Sequence, residues 1–288
     1  MRERNFYHVC SEGLEKRVIF RNRREFIIGM NYIAICLQKY NVKVLCFCLM
    51  NNHFHFILKG CYEECMKFGR EYKRLCAMLM KRTQAIDNGM KNIEILVKEI
   101  NDRSYLEYAI VYVLRNPIVA GFKIMPHQYP WSSGNMYFRN SYIPAGKEAK
   151  DFNVKELQHQ ILCSKTRIPE NYIIDEEGMV SPLCYIDYST VEELFGHPSR
   201  LMGLLSAKKE SEFELFLGIA EKYNPDMNEL KDSVRELIQA EFSVKTVSQL
   251  SIEQKMQLCT LMRRNFNASR KQISMITRLN LETVCKIV

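Results

Sequence analysis

The chain has 288 residues, of which 47% are hydrophobic and 26% are charged; 41 basic against 33 acidic residues give a net charge of +8. This apolar content suffices for a packed core over most of the length, which excludes an intrinsically disordered protein. No apolar run reaches the roughly 18 residues that a transmembrane helix needs, and no secretory signal is visible, so we expect a cytoplasmic protein without a membrane partner.

The first 140 residues predict alternating strands and helices. In chain order these are a strand at 5–10, a helix at 24–40, strands at 42–50 and 54–58, a basic helix at 62–83, a strand at 92–100 and a helix from 104 to about 117. Asn51-Asn52 between two β-rich runs is typical of a hairpin turn, and Ser104 with Glu107 predicts a capping box. This order predicts an α+β domain, an antiparallel sheet with helices packed on one side of it.

The remainder predicts an α-helical C-terminal extension. Residues 141–189 are rich in polar and turn-forming residues and predict a connector with little core, and helical patterns resume at 190–288. Residues 251–288 predict helices begun by the capping boxes Ser251 with Gln254 and Ser269 with Gln272, then a turn at 278–280 and a last helix. Short helices joined by a tight turn favour a helix-turn-helix, although ordinary helical bundles contain the same pattern.

Basic residues are concentrated in three parts of the chain. Each cluster alone is typical of a solvated helix face, but three together favour a nucleic-acid partner. The candidate DNA-binding residues are Arg21, Arg23, Arg24, Lys67, Arg70, Lys73, Arg74, Arg263, Arg264, Arg270, Lys271 and Arg278.

His53 and His55 are the strongest candidates for metal ligands. On a strand, residues two apart point to the same face, so both imidazoles project together while Phe54 and Phe56 enter the core. Two adjacent imidazoles are suited to hold a divalent metal. The alternative is a pair of partly buried structural histidines.

The helix that begins near residue 104 offers a third ligand and a nucleophile. Tyr112 and Asn116 are four residues apart and share a helix face, although Pro117 disfavours the α conformation at Asn116. Beside a metal that polarises a phosphoryl oxygen, a phenol can attack phosphorus and form a phosphotyrosine. The alternative is that Tyr105, Tyr108 and Tyr112 form an aromatic stripe that only packs in the core.

These residues carry a resemblance to a known family. The segment 48–58, CLMNNHFHFIL, resembles the HUH signature of single-tyrosine transposases of the insertion-sequence-200-like group. The segments 112–121, YVLRNPIVAG, and 126–133, PHQYPWSS, are similar to the catalytic helix and following segment of the REP-associated tyrosine transposase branch. The order and interval of the blocks also match, and the resemblance covers residues 5 to about 140.

The resemblance implies a ferredoxin-like or RRM-like HUH catalytic domain over residues 1–140. It implies that His53, His55 and Asn116 hold Mg²⁺ or Mn²⁺, and that Tyr112 rather than Tyr105 or Tyr108 is the nucleophile. The substrate would be single-stranded DNA, often with a hairpin, cleaved to a 5′-phosphotyrosine during DNA transposition. Family members act as dimers or alone, so a homodimer is one option. The short 85–91 link and the long tail depart from the family pattern.

Three functions follow from this sequence. The first is a metal-dependent transposase that cleaves and rejoins DNA. The second is a non-catalytic DNA-binding regulator derived from a transposase. The third is a structural metal or interaction protein, on which DNA has no effect.

Overall fold

The computed structural model describes residues 5–12, 18–86, 89–91, 93–139, 144–206, 227–266, 268 and 270–287. The predicted Ser269 cap lies outside these residues. The fold is α+β, with a four-stranded antiparallel sheet followed by C-terminal helices. The strands are β1 (Asn5–Glu12), β2 (Lys43–Leu49), β3 (Phe54–Gly60) and β4 (Glu94–Ile100), and their order in the sheet is β2-β3-β1-β4. The helices α1 (Arg23–Leu37), α2 (Tyr62–Gln84) and α3 (Arg103–Val119) alternate with them as the sequence predicted.

The two faces of the sheet carry different helices. Phe54 and Phe56 of β3 point toward α2, where their rings lie 4.7 and 4.9 Å from the ring of Tyr72. The Tyr72 hydroxyl donates to the carbonyl of Gly29, which joins α2 to α1. His55 lies between the two phenylalanines on β3 and faces the opposite way, 5.7 Å from the ring of Tyr112 on α3. The prediction that the helices lie on one side was therefore wrong for α3, because the polar face of β3 is covered as well.

Helix α3 begins and ends differently from the prediction. Its first turn is capped by Asp102, whose carboxylate accepts from the Tyr105 amide at 2.7 Å, so the predicted Ser104 cap was wrong. Glu107 is instead buried in an ion pair with Arg200 at 2.8 Å. The helix continues through Pro117. The Asn116 amide donates to the carbonyls of Tyr112 and Val113, at 3.1 and 3.4 Å, and so partly replaces the N–H that proline lacks.

The segment that was predicted to be a connector with little core is packed onto α1. The elements of this 141–189 segment are β5 (Lys147–Glu148), α4 (Val154–Glu156), a helical turn at Leu157–Ile161 and β6 (Ile173–Ile174). The helices predicted from residue 190 onward begin with α5 (Tyr188–Phe195) and α6 (Pro198–Ser206). Asn31 of α1, fully buried, donates to the carbonyls of Ile161 and Gly178 and accepts from the amide of Val180. The described residues up to 118 and from 122 to 206 consequently form one compact unit.

The second unit contains residues 119–121 and the C-terminal helices. These helices are α7 (Met227–Phe242), α8 (Ile252–Phe266), α9 (Arg270–Thr277) and α10 (Leu281–Ile287). Their shared core includes Val234, Leu258, Ile273 and Val284. The capping box of Ser251 and Gln254 is confirmed by reciprocal hydrogen bonds of 2.9 and 3.2 Å. Among the described helices, none is long and apolar enough to cross a bilayer.

Candidate metal and nucleophile site

The three side chains predicted to hold a metal come together between β3 and α3. His53 immediately precedes β3, His55 lies within it, and their ring centroids are 5.0 Å apart. The Nε2 atom of His53 lies 3.2 Å from Oδ1 of Asn116 on α3. Residues distant in the chain thus present two imidazoles and one amide oxygen to the same place.

The amide of Asn116 is oriented by its own helix. Because its Nδ2 donates to the carbonyls of Tyr112 and Val113, its Oδ1 points toward the histidines. Nδ1 of His53 lies 2.8 Å from Oδ1 of Asn52, so both nitrogens of this ring face an amide oxygen. A neutral imidazole has a single N–H. With that N–H directed to Asn52, Nε2 and the Asn116 oxygen present two lone pairs to each other, which is an arrangement that a cation can bridge.

Burial keeps the site imidazoles in the form that binds metals. Desolvation lowers the pKa of His53, and it lowers the pKa of His55 further, aided by the neighbouring His53 and His8. Desolvation, followed by the charge of Lys98, lowers the pKa of His8 to about 4. All three rings are therefore neutral near pH 7, and neutral imidazole is the ligand form. The donor set fits a divalent cation.

The ring of Tyr112 on α3 contacts two of the histidines. It is half-buried, and its ring lies edge-on to His55 at 5.7 Å and to His8 at 6.0 Å. Tyr105, two turns earlier, is buried beneath Lys98, whose Nζ lies 5.8 Å from the ring centroid. The predicted tyrosine stripe is thus not uniform along the helix, since Tyr112 shares its surroundings with the metal-ligand candidates.

Sequence reasoning missed two residues on β1. His8 is buried, its Nε2 lies 3.0 Å from Nδ1 of His55, and the two rings are stacked at 5.2 Å with an angle of 10°. Cys10 is paired with His55 in the strand register. His8, Cys10 and His55 offer donor atoms that all lie within 4.8 Å of one another, so a His-Cys-His cluster adjoins the site. Strand alternation places His8 and Cys10 on one face, but only the pairing of β1 with β3 brings them to His55.

The candidate DNA-binding residues of α2 lie across the sheet from the histidines, because α2 packs on the phenylalanine face of β3. Lys67 pairs with Glu64 at 3.0 Å, and Lys73 donates to the Ile93 carbonyl. Arg70 is exposed, with no hydrogen bond or ion pair to another residue within the described part of the chain.

Arg74 belongs to an ion-pair network around the largely buried carboxylate of Glu71. It donates to the Glu71 carboxylate at 2.7 and 2.8 Å, and Lys39 donates to the same group at 2.6 Å. The hydrogen bonds from Arg74, followed by that from Lys39, lower the pKa of Glu71 to about 2. Arg74 is exposed, and its guanidinium is engaged by the Glu71 carboxylate.

The candidate arginines at the start of α1 are also engaged within the chain. Arg21 pairs with Glu25 at 3.3 Å, and Arg23 pairs with Glu177 while its guanidinium lies 5.3 Å from the Trp131 ring centroid. Arg24 donates to the carbonyls of Glu177 and Gln160. These contacts tie the 157–178 segment to α1, which gives Arg23 and Arg24 a structural role.

The candidate DNA-binding residues of the C-terminal cluster lie in the second unit, far along the chain from His53 and His55. Arg263 donates to the Ala268 carbonyl at 3.3 Å, while Arg270 and Arg278 are exposed. The side chains of Arg264 and Lys271 lie outside the described residues.

Comparison with known proteins gives a distant likeness. A solved structure of a REP-associated tyrosine transposase bound to a REP hairpin is similar to this chain, with 15% identity and a TM-score of 0.37. The similarity covers 50% of this chain and 86% of that chain. No protein-family model and no curated protein matches the sequence. The likeness supports only a distant relationship and carries no argument about activity.

Proposed function

We propose that this chain is a metal-dependent DNA endonuclease and strand transferase of the transposase type, with Tyr112 as its nucleophile. The observation that carries the proposal is the convergence of His53, His55, Asn116 and Tyr112 from a strand and a helix that are about 60 residues apart. A structural histidine pair would not need an amide oxygen aimed at it or an adjacent half-buried phenol.

In this proposal His53 and His55, through Nε2, and Asn116, through Oδ1, would hold the divalent ion. Mg²⁺ or Mn²⁺ would suit this set, because both ions accept amide oxygen and phosphate oxygen. When bound, the ion supplies Lewis-acid polarisation of the phosphoryl group and neutralises its developing charge.

The protein residue that forms the new bond is Tyr112. Its Oη attacks the phosphorus of a single-stranded DNA phosphodiester, and the bond from phosphorus to the 3′ oxygen breaks. The phenol proton passes to solvent, and the departing oxygen takes up a proton to become a free 3′-hydroxyl. The 5′-phosphotyrosine conserves the phosphoester. Attack by another 3′-hydroxyl breaks the bond from phosphorus to Tyr112 Oη, the proton of that hydroxyl is lost and the released phenolate takes up a proton, so DNA is rejoined without ATP.

Phosphate contacts away from the cleaved bond are assigned to α2. Lys67 and Arg70 are two exposed cations of this helix, which packs on the face of the sheet opposite the histidines. DNA bound there, such as a hairpin, would reach Tyr112 around an edge of the sheet. Such contacts add affinity that falls with salt and carry no sequence information.

The second unit is assigned a DNA-reading role as a helix-turn-helix. Helices α9 and α10 are joined by residues 278–280, where Arg278 adopts a positive φ of 58° and Asn280 caps α10 by accepting from Thr283 at 2.7 Å. A tight turn between two short helices on a shared core supports this assignment. Deletion of residues 251–288 should weaken DNA binding but leave cleavage in place; unchanged affinity would remove the assignment.

The test is covalent adduct formation. The protein is incubated with a labelled pool of single-stranded hairpins of randomised flanking sequence and Mn²⁺, then denatured and resolved by electrophoresis. Wild-type protein and Tyr108→Phe, the matched control on the same helix, should form an adduct that survives denaturation. Tyr112→Phe should bind the pool equally well and form none.

Each other outcome counts against the proposal. An adduct in Tyr112→Phe would assign the nucleophile elsewhere. DNA binding without any adduct from the wild type would favour a non-catalytic regulator, and no DNA binding would favour an interaction protein.

A further inference from the structure

Within the described part of the chain, the polar contact of the His8 side chain is with His55. Its side chain is only 2% exposed, and its Nε2 lies 3.0 Å from Nδ1 of His55. The two rings are nearly parallel, and the edge of the His8 ring also meets Tyr112. His8, on the strand next to β3, therefore contacts both His55, a ligand candidate, and Tyr112, the nucleophile candidate.

The hydrogen bond between the two rings has two possible directions. If His55 donates from Nδ1 to Nε2 of His8, then Nε2 of His55 carries a lone pair. If His8 donates instead, a neutral His55 carries its proton on Nε2, which then cannot bind a cation. Only the first direction makes His55 a metal ligand.

We infer that His8 is a positioning residue that accepts the Nδ1–H of His55 and thereby fixes the tautomer and ring plane in which His55 Nε2 can bind a divalent cation. The inference rests on the proposed function for the identity of His55 as a ligand. A residue that orients a ligating histidine through its second nitrogen typically changes metal affinity by about 10–100-fold when removed. Asn52 does the same for His53 with its amide oxygen, so both imidazoles have a partner on Nδ1.

Two measurements test this role. The first is long-range ¹H–¹⁵N NMR of ¹⁵N-histidine-labelled, metal-free wild-type protein, which reads the tautomer of each ring without any substitution. We expect His55 to be protonated on Nδ1. A His55 ring protonated on Nε2 would overturn the inference.

The second measurement is the Mn²⁺ affinity of three full-length variants. His8→Phe keeps the ring volume and loses the acceptor, His8→Asn shortens the polar group so that it cannot reach, and His8→Gln places an amide oxygen near the position of Nε2. We expect affinity losses of about 10–100-fold for Phe and Asn and recovery to within a few fold for Gln. A purely structural role would instead make Mn²⁺ affinity follow thermal stability, with no rescue by Gln.

The outcomes separate this inference from the proposed function. Wild-type Mn²⁺ affinity in folded His8→Phe would overturn the role of His8 alone. Absence of Mn²⁺ binding by the wild type would overturn the proposed function and this inference with it. Should His8→Phe fail to fold, the NMR tautomer and the comparison of Gln with Asn still decide.

Discussion

Replacing Asn116 separates the two tasks that this side chain performs. Its amide nitrogen donates to two helix carbonyls, at 3.1 and 3.4 Å, and its oxygen faces His53. Asn116→Asp keeps an oxygen ligand but loses the donor, whereas Asn116→Leu loses both. Because Asp also places a negative charge near the C-terminal end of α3, the two variants should rank in opposite orders for stability and for metal affinity.

The stability losses follow from the hydrogen bonds. The 3.1 Å bond is worth about 1 kcal/mol and the longer one less, so Asn116→Leu should lose about 1 kcal/mol. In Asn116→Asp a carboxylate near the C-terminal end of α3 also opposes the helix dipole, which adds up to about 1 kcal/mol. At about 2–4 °C per kcal/mol for a unit of this size, metal-free melting temperatures should fall by about 2–4 °C for Leu and about 4–8 °C for Asp.

Metal affinity should show the reverse order. Loss of a residue that only orients a metal ligand already costs about 10–100-fold in affinity, so loss of the oxygen ligand itself in Asn116→Leu should weaken Mn²⁺ binding at least about tenfold. Asn116→Asp should bind Mn²⁺ at least as tightly as the wild type, because carboxylate oxygens suit this ion. Circular dichroism with chelator and isothermal titration with Mn²⁺ give the two values. Equal Mn²⁺ affinity in all three proteins would refute the assignment of Asn116 as a ligand.

Three further predictions concern other parts of the first unit. Asn31→Leu should lower the free energy of unfolding, measured by denaturant titration, by about 3 kcal/mol, because it removes three buried hydrogen bonds of about 1 kcal/mol each. The control Asn101→Leu, at an exposed amide, should be nearly neutral. A loss below about 1 kcal/mol at Asn31 would mean that the amide does not hold the 157–180 segment. The pKa of Glu71 is lowered to about 2, so its stabilising effect is present above its unfolded pKa of about 4.3 and is lost as pH falls toward 2. Glu71→Gln should therefore reduce the fall in the free energy of unfolding between about pH 4.3 and pH 2. An unchanged fall over this pH range would contradict the ion-pair network. Replacing Lys67 and Arg70 together by Gln should weaken single-stranded DNA binding and reduce the salt dependence, d log K/d log[salt], by about 1.4; an unchanged slope would remove α2 from the DNA path.

Local periodicity was sufficient for the features that lie within one element. The order of strands and helices over the first 119 residues is as the sequence predicted, because apolar alternation and the Asn51-Asn52 turn are local signals. The same periodicities, two residues on a strand and four on a helix, placed His53 beside His55 and Tyr112 beside Asn116. No local signal shows which strand lies next to β3, so His8 and Cys10 were found only through the β1–β3 register.

Two further features depend on contacts that no local pattern in the sequence reveals. The polar, turn-rich segment after residue 144 was predicted to have little core, yet one buried amide on α1, Asn31, satisfies its backbone groups. Likewise, the sequence of a basic cluster does not show which of its residues hydrogen-bond within the protein. Arg24 donates to backbone carbonyls of a segment that is distant in the chain. Partners far apart in the chain decide both cases.

The central claim is tested most directly by locating Mn²⁺ in crystals of the full chain from its anomalous scattering. The account predicts one strong anomalous peak within bonding distance, about 2.0–2.3 Å, of His53 Nε2, His55 Nε2 and Asn116 Oδ1, beside the Tyr112 hydroxyl. A peak at the His8–Cys10 pair instead, or no peak among these side chains at saturating Mn²⁺, would contradict it.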